Sequence, residues 1–189
     1  MPETVIYDAC VLYPASLRSF LMWLGYHDLV HARWTDRILD ECFDNLLANR
    51  ADLDPEDLSR TRELMCEAIP DCLVEDFQHH ISELELPDED DRHVLAAAIE
   101  AGASSIVTFN LDDFPNERLQ SYDLQAVHPD DFVCELLRTE PDAVMKCLQE
   151  EASIRQNPNR SELDVCRSLG ERGLDEASNR MKKLLKDID

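Results

Sequence analysis

Residues Leu84–Pro115, LELPDEDDRHVLAAAIEAGASSIVTFNLDDFP, decide the fold that this sequence predicts. The acidic, proline-containing start is typical of a loop. The alanine-rich run behind it predicts a helix to about Ala101, with Gly102 as its C-terminal stop. A strand rich in β-branched residues is predicted next, at Ser105–Phe109, and a polar turn follows. A helix that leads directly into such a strand indicates a parallel sheet.

Strands and helices also alternate on the N-terminal side of this stretch. We predict a short buried strand at Val5–Tyr7, then an amphipathic helix that Gly25 ends. LVHARW, residues 29–34, is a candidate strand. Two further helices follow, and the side chains of Thr35 and Asp54 are expected to cap them.

The alternation ends near Pro141. Before it, LQAV at 124–127 is a candidate strand and PDDFVCELL at 129–137 a candidate helix. After it, three helices joined by short polar links, including NPN at 157–159, are predicted. We therefore divide the chain into an α/β domain at 1–140 and a helical extension at 141–189. The expected fold class is α/β, with a central parallel sheet covered on both faces.

Composition excludes several function classes. The 189 residues are 44% hydrophobic, enough for a core, and no apolar run approaches the roughly 20 residues that span a bilayer. The N-terminus lacks the pattern of a secretory signal, so we expect a cytoplasmic protein that does not enter membranes. The net charge is −23, from 41 acidic and 18 basic residues. Such a charge argues against general coating of DNA, but it leaves nucleic acid open as a substrate.

Cysteine and histidine spacing gives no clear zinc site. The seven cysteines are scattered and none forms a CxxC pair, which favours reduced cysteines in the cytoplasm. His79 and His80 are interpreted as a surface pair, because no cysteine or third histidine lies at ligand spacing.

Several acidic and amide residues fall where parallel strands end. Ligands bind at the carboxyl ends of strands in such sheets, so these side chains could share one edge. Carboxylates that share a pocket repel one another unless a cation holds them, and oxygen ligands favour Mg²⁺ or Mn²⁺. The residues concerned are Asp8, Glu41, Asp91, Asn110, Asp112 and Asp113.

Each of these residues also has an ordinary structural interpretation. Asp8 could be a polar strand end, and Glu41 a solvated helix residue. The acids Asp88, Asp90 and Asp91 could cap the alanine-rich helix. Thr108, Asn110 and Asp113 could form side-chain turns with the backbone. From the residues alone, a metal site and these local roles both remain open.

A family resemblance favours the site. An Asp that closes the first strand, a Glu in an early helix, DDRHVLAAA and IVTFNLDDF together resemble the PIN-domain family, in its bacterial toxin-like branch. The resemblance covers about residues 3–138, and the helical tail is similar to that branch's extension. It implies an α/β/α fold, an acidic pocket that binds Mg²⁺ or Mn²⁺, and metal-dependent cleavage of RNA. It also implies a toxin with a cognate antitoxin, and it allows a homodimer.

The resemblance assigns roles residue by residue. Asp8, Glu41 and Asp91 correspond to the first three acids of the family, with Asp90 as an alternative to Asp91. Either Asp113 or the uncharged Asn110 fills the fourth position. The implied catalytic and metal-binding set is therefore Asp8, Glu41, Asp91 and Asp113. The implied substrate-binding set is Thr108, Asn110 and Arg33.

RNA would have to approach an acidic protein, so nearby basic and aromatic residues matter. Four arginines adjacent to the site elements could contact phosphates, or could be solvated surface residues: Arg18, Arg33, Arg37 and Arg92. Trp34 could stack on a base, but a core or dimer-interface position is favoured.

Two other function classes compete with a nuclease. A PIN-like module could bind RNA or protein without cutting, and the uncharged Asn110 is the one residue that favours this. A phosphoacceptor receiver domain needs adjacent acids after the first strand and a lysine late in the sheet. YDACV, residues 7–11, has one acid, and the first lysine is Lys146, so this class is set aside.

Overall fold

Four short parallel strands lie at the centre of the computed structural model, which describes residues 2–154 and 160–188. Over these residues the strands form one sheet in the order β2-β1-β3-β4. Their bounds are β1 Glu3–Tyr7, β2 Val30–Arg33, β3 Ser105–Val107 and β4 Gln125–Val127. The expected parallel α/β sheet is confirmed.

Helices connect the strands and cover the sheet. They are α1 Ala9–Leu12, α2 Ala15–Tyr26, α3 Asp36–Asn49, α4 Pro55–Ala68, α5 Gln78–Ile81, α6 Arg92–Glu100, α7 Asn116–Leu119 and α8 Pro129–Thr139. Three more helices follow: α9 Pro141–Ile154, α10 Glu162–Gly170 and α11 Asp175–Ile188. The arrangement is the predicted α/β/α fold with C-terminal helices.

The two central strands bring their carboxyl ends together. β1 and β3 are neighbours, and Tyr7 pairs with Val107 in register at the end of both strands. Val5, Ile6 and Tyr7 are fully buried, as are Ile106 and Val107. Strands buried on both faces show continuous apolar sequence, which is why these runs were recognisable. The residues that follow each strand, Asp8 and Thr108, therefore emerge side by side.

Local capping signals determine where several helices begin and end. The Thr35 hydroxyl accepts a hydrogen bond from the backbone N–H of Ile38 at 3.0 Å, and Asp54 accepts one from Glu56 at 2.8 Å. Gly102 has a φ of +57° just beyond α6, as expected of a glycine after a helix.

β3 ends at Val107, two residues before the predicted end.

Gly25 does not end α2, contrary to the prediction. It lies inside that helix, which continues to Tyr26. A Cβ atom at Gly25 would lie 2.6 Å from Ile69 Cδ1 and 3.1 Å from Ala32 Cβ. The glycine is therefore explained by the close approach of α2 to β2 and to the end of α4, and not by a helix stop.

The C-terminal extension packs on the same core as the sheet domain. Buried side chains such as Leu148 on α9 and Leu169 on α10 belong to one contiguous apolar cluster with the strands. The Asp130 carboxylate of α8 caps α11, because it accepts from the backbone N–H groups of Glu176 and Ala177. The boundary at residue 140 stays a prediction, and the predicted NPN link lies outside the described residues.

Among the described residues, no helix has both the length and the apolar character needed to cross a membrane.

The close contact at Gly25 gives a stability prediction. We expect Gly25→Val to lower the free energy of unfolding by about 1–3 kcal/mol, the usual cost of overpacking a filled site. Gly25→Ala should cost less, because Ile69 Cδ1 is the end of a flexible side chain. Urea denaturation measures both. Ala48→Val on the exposed side of α3 is the matched control, with a cost of less than about 0.7 kcal/mol. Equal effects of Gly25→Val and Ala48→Val would contradict the packing role.

Candidate active site

Asp8 is held by hydrogen bonds at the carboxyl end of β1. Its Oδ1 accepts from the backbone N–H of Ala9 at 2.7 Å, so the side chain caps α1. Its Oδ2 accepts from the Thr108 hydroxyl at 2.7 Å, and Asp8 is only 4% exposed. Thr108 Oγ1 also accepts from the backbone N–H of Asn110 at 3.0 Å. These bonds connect the ends of β1 and β3 through one carboxylate.

Thr108 orients Asp8 and does not face solvent. It is fully buried. The enclosed hydroxyl is bonded to Asp8 and to the backbone of Asn110, so it holds the pocket together, and a contact with substrate stays a prediction.

Cys10 is a further contact of Asp8 to which the sequence assigned no role. Its thiol donates to Asp8 Oδ2 at 3.1 Å, and it accepts from the backbone N–H of Phe109 at 3.3 Å. Burial, followed by the charge of Asp8, raises the pKa of the Cys10 thiol to about 12. Cys10 is therefore a neutral thiol near pH 7, suited to donating a hydrogen bond and not to nucleophilic attack. Only its position two residues after Asp8 could have suggested this role.

Three of the predicted acids line one cleft. Asp8, Glu41 and Asp91 face a cavity of about 660 Å³, with Asn110 on its wall and Asp90 beside Asp91. The three acids come from the end of β1, from α3 and from the residue before α6, and Asn110 comes from the turn after β3. Residues that are distant in the sequence therefore meet at one edge of the sheet.

Asp91 directly precedes the first residue of α6, and its side chain does not cap the helix. The side chain makes no capping hydrogen bond, so the structure does not support the interpretation of Asp91 as a helix cap. Burial, followed by the nearby charges of Asp8, Asp113, Asp88 and Glu41 in that order, raises the pKa of Asp91 to about 7. Asp113 therefore acts electrostatically on the same carboxylate. The free charge of Asp91 is unfavourable as long as no cation is present.

The neighbouring acids differ from Asp91 in their contacts. Asp88 accepts from the backbone N–H of Asp90 at 2.9 Å, which forms a turn before α6 and not the helix cap that was the local interpretation. Asp90 lines the cleft but is exposed, and its carbonyl accepts from Arg37 at 3.4 Å. Asp91 is the more buried of the two candidates for the third acid.

Glu41 lies at the rim of the cleft and contacts a buried histidine. Its Oε1 is 3.4 Å from Arg37 Nε and 2.9 Å from His93 Nε2. The His93 side chain is fully buried, and neither of its ring nitrogens has an aligned hydrogen bond among the described residues. His93 packs behind Glu41 and limits where that carboxylate can point. In the sequence, the position of His93 two residues after Asp91 was the signal that could have indicated its place beside the cleft.

Polar residues follow one another along α3 toward the cleft. Arg37, Glu41, Asn45 and Asn49 are spaced four apart and all line the cavity. A spacing of four places side chains on one helix face, so this row could have been recognised in the sequence. It presents one cation and two amides next to the acids.

Other predicted substrate contacts lie elsewhere. Arg33 lines a separate cavity with His31 and Asp71, and it donates to the carbonyl of Leu73 at 3.3 Å. Arg18 is buried and donates to the carbonyl of Leu12 at 2.6 Å. Neither guanidinium is directed at the acidic cleft, so Arg37 is the arginine that the structure favours.

Trp34 and Arg92 also have structural partners. Trp34 is fully buried and stacks on Tyr7 with ring centroids 6.4 Å apart, which is the core position favoured over base stacking. Arg92 pairs with Glu89 at 2.8 Å.

The seven cysteines are all free, so none of them forms a disulfide bond.

The donor set of the cleft fits a hard divalent cation. The donors are carboxylate oxygens, which Mg²⁺ and Mn²⁺ prefer. Within the described ranges, no three of these carboxylates bring oxygens within 4.8 Å of one another. Mg²⁺ is usually bound by one or two carboxylates and several waters, so an open set of acids suits it.

The sequence is similar to two family models and to a curated protein. A family model described as "PIN domain" matches residues 4–112, and one described as "VapC50 C-terminal domain" matches residues 129–183. A curated protein named "Putative ribonuclease VapC50", from Mycobacterium tuberculosis (strain ATCC 25618 / H37Rv), is 53% identical over 47 residues. That match spans 25% of this chain and 28% of the relative. No solved structure gives a significant match.

The raised pKa of Asp91 gives a prediction for the metal-free protein. The folded pKa is about 7 and that of an unfolded Asp is about 4, so the folded state binds more protons between these values. Stability should therefore fall as pH rises from about 4 to about 7, and this contribution should then stay constant. Asp91→Asn should remove that slope and raise the melting temperature at pH 8.

Thermal melting in EDTA between pH 4 and pH 8 measures the effect. Asp112→Asn is the control, because Asp112 is exposed and does not line the cleft. If Asp91→Asn melts below wild type at pH 8 without metal, Asp91 is not an electrostatically strained carboxylate.

Proposed function

Because this chain belongs to the PIN-domain family, we propose that it is a metal-dependent ribonuclease acting at the cleft between Asp8, Glu41 and Asp91. The observation that supports this most strongly is the carboxylate of Asp91. It directly precedes α6 without capping it, and burial with neighbouring acids raises its pKa to about 7. A side chain that makes no capping hydrogen bond and is held where its charge is unfavourable indicates a functional site.

The reaction we propose is hydrolysis of an RNA phosphodiester. Water attacks phosphorus, the bond to the 3′ oxygen breaks, and that oxygen takes up a proton. The products then carry a 5′-phosphate and a 3′-hydroxyl. Mg²⁺ or Mn²⁺, when bound by Asp8 and Asp91 with Asp113 nearby, would supply the Lewis acid for the phosphoryl oxygen and the water.

Asp8 would act as the fixed oxygen ligand of the site. Its two oxygens already accept from Ala9 N–H, the Thr108 hydroxyl and the Cys10 thiol, so the carboxylate cannot rotate freely. Thr108 and Cys10 are then positioning residues, since they act through Asp8. Fixed ligands reduce the reorganisation needed in the reaction.

Glu41 would orient the attacking water and accept its proton. It is partly exposed at the rim, and His93 Nε2 lies 2.9 Å behind its Oε1. Asn110 is exposed beside the cleft, where its amide can donate to a phosphate or a water. The uncharged Asn110 therefore serves positioning, and Asp113 provides the fourth negative charge.

RNA would approach along the polar row of α3. Arg37 offers a guanidinium, and Asn45 and Asn49 offer amides on the same helix face. A single-stranded substrate would follow this face, with phosphates near Arg37. Local cations next to the acids would offset part of the −23 net charge.

We further propose that the protein is the toxin of a type II toxin–antitoxin pair in the cytoplasm. The support is the match to the VapC50 C-terminal domain at residues 129–183 and the name of the curated relative. A cognate antitoxin protein would be its partner. A homodimer stays a prediction.

A second candidate function is a PIN-like module that binds RNA without cutting it. The exposed, uncharged Asn110 favours this candidate, because a carboxylate there would bind a cation more strongly. The two functions differ in one measurement, because only the nuclease shortens RNA when Mn²⁺ is added.

Cleavage assays test the nuclease directly. Purified protein should cleave RNA in Mn²⁺ or Mg²⁺, and EDTA should stop it. Asp91→Asn should reduce the rate by at least about 100-fold, the scale of losing one preorganised charge. Asp112→Asn should retain wild-type cleavage, because its carboxylate lies outside the cleft. Cleavage that persists in EDTA would exclude the metal mechanism, and RNA binding without cleavage would favour the second candidate.

The role of Arg37 is tested by the salt dependence of RNA binding. In an Asp91→Asn background, which is expected not to cut, Arg37→Ala should weaken binding of single-stranded RNA. It should also reduce the slope of log affinity against log salt by about 0.7, the effect of one lost phosphate contact. Arg60→Ala on α4 is the control, because Arg60 pairs with Glu63 and Glu67 away from the cleft. Equal slopes for both variants would show that Arg37 contacts no phosphate.

A further inference from the structure

His79, His80 and Glu100 bring three metal-binding atoms together away from the acidic cleft. Their ligand atoms all lie within 4.8 Å of one another, and no other such trio occurs in the part of the chain that the structure describes. From sequence alone the two histidines were interpreted as a surface pair without a third ligand. The fold supplies that ligand from the last residue of α6, so we propose that this trio is a Zn²⁺-binding site.

The first support is the orientation of the His79 ring. Its Nδ1 lies 2.7 Å from the carbonyl oxygen of Asp76. A carbonyl can only accept, so Nδ1 carries the proton and Nε2 presents its lone pair to the trio. Metal-binding histidines are commonly fixed by such a second hydrogen bond to a backbone carbonyl.

The second support is the spacing of the ligand atoms. Glu100 Oε2 lies 3.8 Å from His79 Nε2 and 3.1 Å from His80 Nε2. Ligands in a tetrahedral zinc site with bonds of about 2.0–2.1 Å are separated by about 3.3 Å. The two distances lie on either side of that value. Small side-chain rotations would therefore bring all three atoms into ligand positions.

The third support is the scaffold beneath the trio. Phe77 and Leu84 flank α5 and are buried, so they anchor the segment that carries both histidines. Glu100 belongs to α6, whose Ala96–Ala98 are fully buried against the sheet. Asp76, whose carbonyl holds His79, has a φ of +59°. The buried parts of the two elements therefore fix where the three side chains lie relative to one another.

The chemistry of the trio differs from that of the acidic cleft. Two imidazoles and one carboxylate favour Zn²⁺, whereas Mg²⁺ prefers oxygen ligands only. Asp91 precedes the first residue of α6 and Glu100 is its last, so about 13 Å of helix separates the two places. An ion at the trio would join α5 to the end of α6, with water completing its coordination. Binding would displace the contact between His80 and Glu100 and release the proton it holds.

Zinc titration tests the site. Wild-type protein is titrated with Zn²⁺ by calorimetry in excess Mg²⁺, which competes for carboxylates but not for imidazoles. We expect one equivalent to be lost, or weakened by more than about tenfold, in His79→Ala and in Glu100→Gln. His31→Ala is the matched control, an exposed histidine on β2, and it should retain that equivalent. If Zn²⁺ instead binds near Cys10, all three variants retain that equivalent. The titration therefore distinguishes binding near Cys10 from binding at the trio.

Thermal melting gives the second readout. Zn²⁺ should raise the melting temperature of wild type and His31→Ala, because ligand binding to the native state stabilises it, and it should not raise that of Glu100→Gln. Melting in EDTA shows whether each variant is folded. If His79→Ala and Glu100→Gln fold and bind Zn²⁺ as wild type does, the site does not exist. This outcome is independent of whether the protein cleaves RNA.

Discussion

A buried carboxylate at the end of β1 is the constraint from which the site follows. Asp8 is enclosed by the protein, and among the described residues it forms no ion pair with a basic side chain. Burying an unpaired charge is costly, and hydrogen bonds to Ala9, Thr108 and Cys10 offset only part of that cost. Asp91 lies close enough to Asp8 for the two charges to repel. A divalent cation between these carboxylates would make the arrangement favourable.

The parallel sheet creates this constraint. β1 and β3 end in register, so the residues after Tyr7 and Val107 meet at one edge. Asp8 and Thr108 are therefore joined by one hydrogen bond, and the N–H of Asn110 extends the network. The same core includes the C-terminal helices, and Gly173 lies against Phe109 near the site. The C-terminal helices therefore pack next to the turn that follows β3.

Local signals in the sequence predicted most of the fold and made the main acids candidates. Strands β1 and β3 are continuous apolar runs, and Thr35 and Asp54 are strong caps, so each could be recognised from neighbours a few residues away. Asp8 and Asp91 became candidates because they sit at the ends of such elements, and the resemblance to the PIN-domain family favoured them over their local interpretations. Gly25 was misinterpreted because its cause, the contact with Ile69, is remote in sequence. Long-range contacts also explain why the trio completed by Glu100, and the burial of Thr108, could not be predicted.

The most direct test of the central claim is to locate the ion. Crystals of the protein soaked in Mn²⁺ and measured for anomalous scattering should show a peak in the cleft, within about 2.0–2.2 Å of oxygens of Asp8 and Asp91. Crystals of Asp91→Asn grown and soaked in the same way should lack it. An empty cleft in wild-type crystals at a Mn²⁺ concentration that supports RNA cleavage in solution would contradict the account, as would an equal peak in both proteins.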